Sequence, residues 1–352
     1  MSLLASIGLP EIIAGIMLLA LNAYVLTGGA DFGGGVWDLL ARGPSRDEQR
    51  SLIERSIAPI WEANHVWLIV VVVLLFSAFS PAFAVLGVVL HIPVSLMLVG
   101  IVLRGSAFVF RSYGGRAHSQ QWGTLFAVTS LITPVILGMI IGAIVSDRVG
   151  LASGRVGAGM GSFSEVFVYP WLSPFTVVVG AFALALFAFL AATYLTVAAD
   201  TDGLRDAFRR RALGASGAVF ALAAAAIVLS FQSAPRVAHG VAGAWWSVPL
   251  HLGTAVAAIT AIVALWRRRY RVARIAAGAQ VSLVLWGWAF AQNPYLIPPA
   301  LTIRDAASPP LTLGLLLAAL CVGFIILIPS LRYLYRTFAR ASAPEHSSSS
   351  PT

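Results

Sequence analysis

The sequence predicts an all-α polytopic membrane protein, and three observations predict it. Of 352 residues, 59% are hydrophobic and only 11% are charged, whereas a soluble domain carries about 25% charged residues. Mean hydropathy is +0.88. Nine stretches reach the roughly 20 apolar residues that a membrane span requires: about 9–36, 57–79, 82–103, 122–146, 173–199, 212–231, 246–266, 275–291 and 311–334. Removing them leaves no soluble domain. Residues 1–341 therefore read as a single transmembrane helical domain, and the serine-bearing tail 342–352 reads as disordered and cytoplasmic.

The first stretch is read as a span because no basic segment precedes it, it is too long for a signal peptide, and no small-residue cleavage site follows. Pro59 falls in the first turn of the second span, where a missing N–H is harmless. Pro93 and Pro134 fall within the third and fourth and should kink them. The glycine-rich segment Gly150–Gly161 reads as a mobile outer loop, and Pro294, Pro298, Pro299, Pro309 and Pro310 keep the last outer loop from becoming helical. A single cysteine, Cys321 in the last span, excludes an internal disulfide and reads as packing. Short connections predict antiparallel helical neighbours packed as bundles.

Charge sets the orientation. The chain has no lysine, and 19 of its 23 arginines fall in the first, third, fifth and seventh connections and the tail, against 4 in the alternate connections. The basic side faces the cytoplasm, so nine spans place the N-terminus outside and the C-terminus inside. The net charge of +9 does not imply nucleic acid as a partner, because Arg209-Arg210-Arg211 and Arg267-Arg268-Arg269 read as topology anchors in contact with anionic membrane lipids.

Against this apolar background a few polar side chains stand out. Trp61-Glu62-Ala63-Asn64-His65-Val66-Trp67 opens an apolar run that continues through Phe76. An ionisable group at that depth costs about 2.5–3.5 kcal/mol on insertion scales and is kept only where protein or water satisfies it. Asp31 lies about 20 residues, or ~30 Å, along the first span from Glu11, which places it in the cytoplasmic leaflet. Its glycine-rich surroundings, Thr27 to Gly35, lack the preceding strand of a dinucleotide loop; Gly29 and Gly33 are read as admitting a close helix. Glu62 enters from the same side, shares a helix face with His65, and Arg104 ends the third span there too. Asp31, Glu62, Asn64, His65 and Arg104, with Trp61 in support, are thus expected in one polar cluster. Two compatible readings are open: an arginine–carboxylate pair that locks three helices, or a proton entry path in which Glu62 and Asp31 pass protons inward and Arg104 tunes them.

His91 and His251 lie within spans and His239 in an outer loop; an intramembrane histidine serves as a haem axial ligand or as a satisfied polar residue, and no spacing motif favours ligation here. His118 and His346 read as solvent-exposed. Tyr169, Trp171, Trp245 and Trp246 read as an aromatic belt at the outer edge.

Gly29-Ala30-Asp31-Phe32-Gly33, Ile57 to Leu68 and Leu103-Arg104-Gly105-Ser106-Ala107-Phe108-Val109-Phe110-Arg111 resemble, in order and spacing, three stretches of subunit II of cytochrome bd quinol oxidases. The detailed match covers the first third of the chain; beyond it the span count and orientation agree. The resemblance implies two four-helix bundles plus one peripheral helix in the bacterial cytoplasmic membrane. It implies a partner, subunit I, that holds b-type and d-type haems, oxidises quinol and reduces dioxygen to water, with a small accessory subunit as a further candidate. Subunit II, by resemblance, ligates no haem or other metal, scaffolds subunit I and contributes a cytoplasmic proton path, whose residues map to Glu62, Asp31, Arg104 and Trp61. This chain departs from the family pattern in three places: Glu62 stands where members usually have Asp, and Gly28 and Val109 stand where many have acids. Any relay here must rest more heavily on Glu62.

The function expected is thus that of a non-haem-ligating subunit of a quinol:oxygen oxidoreductase. The alternatives are a secondary transporter using the Asp31, Glu62 and Arg104 cluster, and a haem-free scaffold protein.

Overall fold

The computed structural model describes residues 8–113 and 119–341, with side chains described throughout these except at 58–63, 112–113, 119–120 and 334–341. The expectations for His118, for His346 and for the tail lie outside the described residues.

Thirteen helices follow one another: α1 (Leu9–Leu39), α2 (Arg46–Ala78), α3 (Ser80–Val89), α4 (His91–Tyr113), α5 (Ser119–Val145), α6 (Arg148–Gly157), α7 (Phe163–Phe167), α8 (Pro174–Ala198), α9 (Asp202–Ser233), α10 (Pro235–Gly243), α11 (Ser247–Trp266), α12 (Tyr270–Gln292) and α13 (Pro310–Ala341). Two short strands, β1 (Tyr295–Ile297) and β2 (Leu301–Thr302), pair antiparallel before α13. Among the described residues eight helices are long and apolar enough to cross a membrane, or nine if the bent pair made by α2 and α3 counts as one span. This is a multi-pass membrane protein.

Helix ends follow the local sequence. At the start of α1 the Glu11 carboxylate accepts from the Gly8 N–H at 2.9 Å. Ser173 caps α8 by accepting from the Thr176 N–H at 3.3 Å, and Thr201 caps α9 by accepting from the Leu204 N–H at 3.3 Å. Each bond satisfies a donor that a helix start otherwise leaves without a partner.

Three expectations are corrected. The apolar run read as one span over 82–103 is split: α3 turns by 113° from the end of α2, and α4 starts only at His91. Hydropathy is continuous through this break, so composition does not reveal it; the buried Phe79 and the Pro81 in the first turn of α3 mark the corner. Pro93 consequently sits in the first turn of α4, while Pro134 and Pro329 lie inside α5 and α13. Residues Gly150–Gly157, expected to be a mobile loop, belong to the helix α6, whose Val149, Gly150 and Ala152 are buried. Gly150 is needed there because a side chain would collide with the Pro298 carbonyl of the β1–β2 turn. Cys321 is exposed on α13 and does not pack inside.

The proline-rich segment before α13 is non-helical as expected, and its hairpin is fixed by Thr302 and Asp305 and by Ser308, which donates to the Ala78 and Ser77 carbonyls. At the centre, α8 packs against α1, α5, α9 and α12, while α4 pairs with α5, α1 with α2, and α11 with α12. Helix α13 packs mainly against α2 and α1. Three consecutive glycines make α1 the hub. Successive residues rotate by about 100°, so a side chain at Gly33 would strike the Phe187 carbonyl of α8, at Gly34 the Ile57 side chain of α2, and at Gly35 the Ser130 side chain of α5. The expected close approach at Gly29 and Gly33 is to α8: a Cβ on Gly29 would lie 2.9 Å from Leu190. Trp37 fastens the same pair, its indole N–H donating to the Ala188 carbonyl at 2.8 Å.

Candidate functional site

The glycine hub sets α2 and α5 against α1, and α4, packed on α5, completes a group of four helices whose polar side chains meet inside an apolar shell. Asp31 is 0% exposed and Arg104 is 1% exposed. Arg104 Nη2 lies 2.6 Å from Asp31 Oδ1 and Nη1 lies 2.8 Å from Oδ2, a planar two-pronged pair. Nη2 also donates to the Asp31 carbonyl at 3.1 Å, and Nε donates to Ser130 Oγ at 2.9 Å. Asn64 Nδ2 donates to Asp31 Oδ2 at 2.9 Å. The guanidinium carbon stands 4.6 Å from the Phe32 ring centre and 4.8 Å from that of Phe126, so the faces of the cation meet aromatic rings while its edges meet oxygen. A buried charge is tolerable only with this degree of compensation.

Of the residues expected to cluster, Asp31, Asn64 and Arg104 meet. His65 follows Asn64 on α2 and is partly buried. The backbone of α2 is helical through Trp61 and Glu62, but their side chains lie outside the described residues.

A second ion pair escapes the sequence reading. Asp38, 1% exposed, accepts from Arg111 Nη1 at 2.9 Å and Nη2 at 3.2 Å, and Arg50 Nε stands 3.4 Å from its Oδ1. Glu54 lies 4.0 Å from Arg111. Asp31 and Asp38 are seven residues apart on α1, and Arg104 and Arg111 seven apart on α4. Seven residues are two helical turns, about 10 Å, so the pairs form two rungs on one side of the site. Phe126 lies between the rungs, 4.8 Å from the Arg104 guanidinium and 5.9 Å from that of Arg111. The lower rung reaches the arginine-rich face, where Arg50 and Glu54 are partly exposed. The signal that would have found it is the matching heptad spacing on both helices.

The histidines are elsewhere. His91 is exposed and its Nδ1 contacts the Val88 carbonyl at 2.8 Å, its ring edge-on to Phe167. His239 is exposed, and His251 lies on the wall of an apolar cavity of about 630 Å³ between α1, α5, α8, α9, α11 and α12. Among the described residues no three His, Cys, Asp or Glu side chains are grouped to hold a metal ion.

Fold and site together define a helical membrane protein with two arginine–aspartate pairs set between its helices α1 and α4. The family described as "Cytochrome bd terminal oxidase subunit II" matches residues 9–338. The chain is 26% identical over 326 residues to "Putative cytochrome bd menaquinol oxidase subunit II" of Bacillus subtilis (strain 168), covering 90% of this chain and 92% of the relative. It is 27% identical over 136 residues to "Cytochrome bd-I ubiquinol oxidase subunit 2" of Escherichia coli (strain K12), covering 37% and 34% of the two chains. Its fold resembles a chain of "The structure of bd oxidase from Geobacillus thermodenitrificans" with a TM-score of 0.77 at 24% identity, covering 94% of this chain and 98% of that one. The chain belongs to the cytochrome bd terminal oxidase subunit II family.

Proposed function

We propose that the chain works as subunit II of a bd-type quinol:oxygen oxidoreductase in the bacterial cytoplasmic membrane, where it scaffolds a haem-bearing subunit I and carries a proton path from the cytoplasmic side. Family membership over nearly the whole chain supports the oxidase reading, and the names of the relatives above are those of quinol oxidase subunits. The secondary-transporter alternative draws no support from them. The b-type and d-type haems and the quinol belong, in this reading, to the partner, and lipids and a small accessory subunit complete the expected contacts. The nine-span count, with α2 and α3 at the bent span, is part of the proposal, as are two four-helix bundles (α1, α2, α4, α5 and α8, α9, α11, α12) with α13 peripheral. The concentration of arginine at the ends of α1, α4, α9 and α11 supports an outer N-terminus and a cytoplasmic C-terminus.

The observation that carries the proton path is the two-rung ladder, Asp38–Arg111 near the arginine-rich face and Asp31–Arg104 deeper. Each carboxylate is paired with its own arginine, so the ladder lays a fixed line of paired charge beside the proposed path. Glu62, two residues before Asn64 on α2, is proposed to take up the proton, with Trp61, Asn64 and His65 in support. Glu62→Gln in the two-subunit complex, with haem spectrum intact, is expected to slow oxygen consumption. Unchanged turnover leaves Glu62 a structural role only.

A further inference from the structure

A second polar site lies at the arginine-rich end, away from the ladder. A cavity of about 560 Å³ opens between the α1–α2 connection and the first turns of α9, and Arg42, Arg210 and Arg211 are on its wall, with Glu48 the one carboxylate among its lining residues. Several neighbouring arginines have carboxylate partners: Arg205 pairs with Asp202, Arg55 with Asp200, and Arg209 and Arg268 share Asp206. Arg42, Arg210 and Arg211 pair with no carboxylate among the described residues. Arg211 is built in rather than dangling. Its Nη2 donates to Gln49 Oε1 at 2.6 Å and to the Leu40 carbonyl at 3.4 Å, and its guanidinium lies over the rings of Phe208 and Trp37, at 5.0 and 5.6 Å. Its Nη1 is buried and has no acceptor among the described residues. A buried donor on a charged group without an acceptor is costly and is the exception in folded proteins.

We propose that this cavity binds a phosphate-bearing anion, with Arg211 as the fixed donor and Arg42 and Arg210 closing on it from the exposed rim. Three guanidiniums lining one cavity match the several oxygens of a phosphate better than a lone carboxylate, because each offers paired N–H groups in a plane. The volume exceeds that of a phosphate group alone and leaves room for what is esterified to it. Leu40, whose carbonyl accepts from Arg211, and its neighbour Leu39 are both exposed and offer an apolar edge of the kind an acyl chain would follow. The phosphate can come from an anionic phospholipid or from a soluble phosphate compound, and the two sources are distinguished by experiment.

The two-subunit complex, delipidated in neutral detergent, is titrated at constant ionic strength with phosphatidylglycerol and, separately, with inorganic pyrophosphate, with phosphatidylcholine and chloride as controls. The thermal unfolding midpoint is the readout. At least one of the two probes is expected to raise the midpoint saturably above its control. The apparent affinity is expected to weaken about tenfold or more in the Arg42→Gln/Arg210→Gln variant, which leaves every contact of Arg211 in place and oxygen consumption unchanged. A response to the lipid alone assigns a bilayer phosphodiester; a response to pyrophosphate, with or without the lipid, assigns a soluble phosphate. No saturable response to either probe, or the same response in the double variant, overturns the proposal.

Discussion

Arg104 closes on Asp31 with both terminal nitrogens, at 2.6 and 2.8 Å, in a place where neither side chain reaches the surface. Such a pair adds little net stability as a pair, but removing one partner leaves a buried charge uncompensated, at a cost of about 3–5 kcal/mol. Asp31→Asn is therefore expected to lower the thermal midpoint of the complex strongly while Arg104→Met/Asp31→Leu lowers it less. If the double variant proves no better than the single one, the pair is not an isolated electrostatic unit.

The lower rung is better buffered. Asp38 keeps Arg50 at 3.4 Å when Arg111 is removed, and Arg111 keeps Glu54 at 4.0 Å when Asp38 is removed. Arg111→Gln, which removes two hydrogen bonds to Asp38 but leaves Arg50 beside it, should thus cost about 1–3 kcal/mol, the range for a buried polar group left partly unsatisfied, and less than Asp31→Asn. Ranking the two variants by unfolding midpoint under one detergent condition checks this; the opposite order would mean that Asp38 is the more isolated charge.

The sequence made the upper rung legible because depth along α1 and the end of the third apolar run put Asp31 and Arg104 at one level, where only pairing makes either tolerable. Asp38 was hidden for the opposite reason. It follows Trp37 near the end of α1, where a carboxylate reads as sitting among headgroups, and only the repeat of seven on α1 and α4 singles it out. The glycines were read correctly as contact positions, but a run of three gives no hint that each faces a different helix. The α3 corner and helix α6 were missed because hydropathy reports what a segment is made of and not where its axis turns. Glycine likewise reads as freedom even where, as at Gly150, it permits contact with the Pro298 carbonyl.

Gly33 provides a steric test of the hub. Its α-hydrogen faces the Phe187 carbonyl of α8 at a distance that leaves no room for a methyl group, whereas nothing lies near Gly15 on the same helix. Gly33→Ala must push two helices apart and is expected to cost several kcal/mol, in the range of overpacked cores at about 1–3 or more. Gly15→Ala should be neutral or slightly stabilising, as alanine is the better helix residue by about 0.5–1 kcal/mol. Equal midpoints for the two variants would show that α1 and α8 are not in contact at Gly33.

Asp147 tests the opposite end of the molecule through pH. It starts α6 with φ of 58° and makes no capping bond with its side chain, a conformation that Asn adopts readily and a β-branched residue does not. Burial pushes its carboxyl above the usual carboxylate range, and Arg236, at 3.7 Å and beyond hydrogen-bond length, only partly opposes this. A carboxyl whose pKa is higher folded than unfolded weakens the fold as pH rises through that folded value, and the penalty vanishes below the unfolded one. Asp147→Asn is therefore expected to be as stable as the parent or slightly more so at pH 7, within about 0.5 kcal/mol. The two should converge as the solution is acidified toward pH ~4, while Asp147→Val is destabilised at every pH by its backbone conformation, by about 1–3 kcal/mol. Unfolding midpoints of the three proteins across this pH range decide the point. An Asn variant that is clearly less stable at pH 7 and regains the parent's stability on acidification would show that the ion pair with Arg236 outweighs the cost of burial.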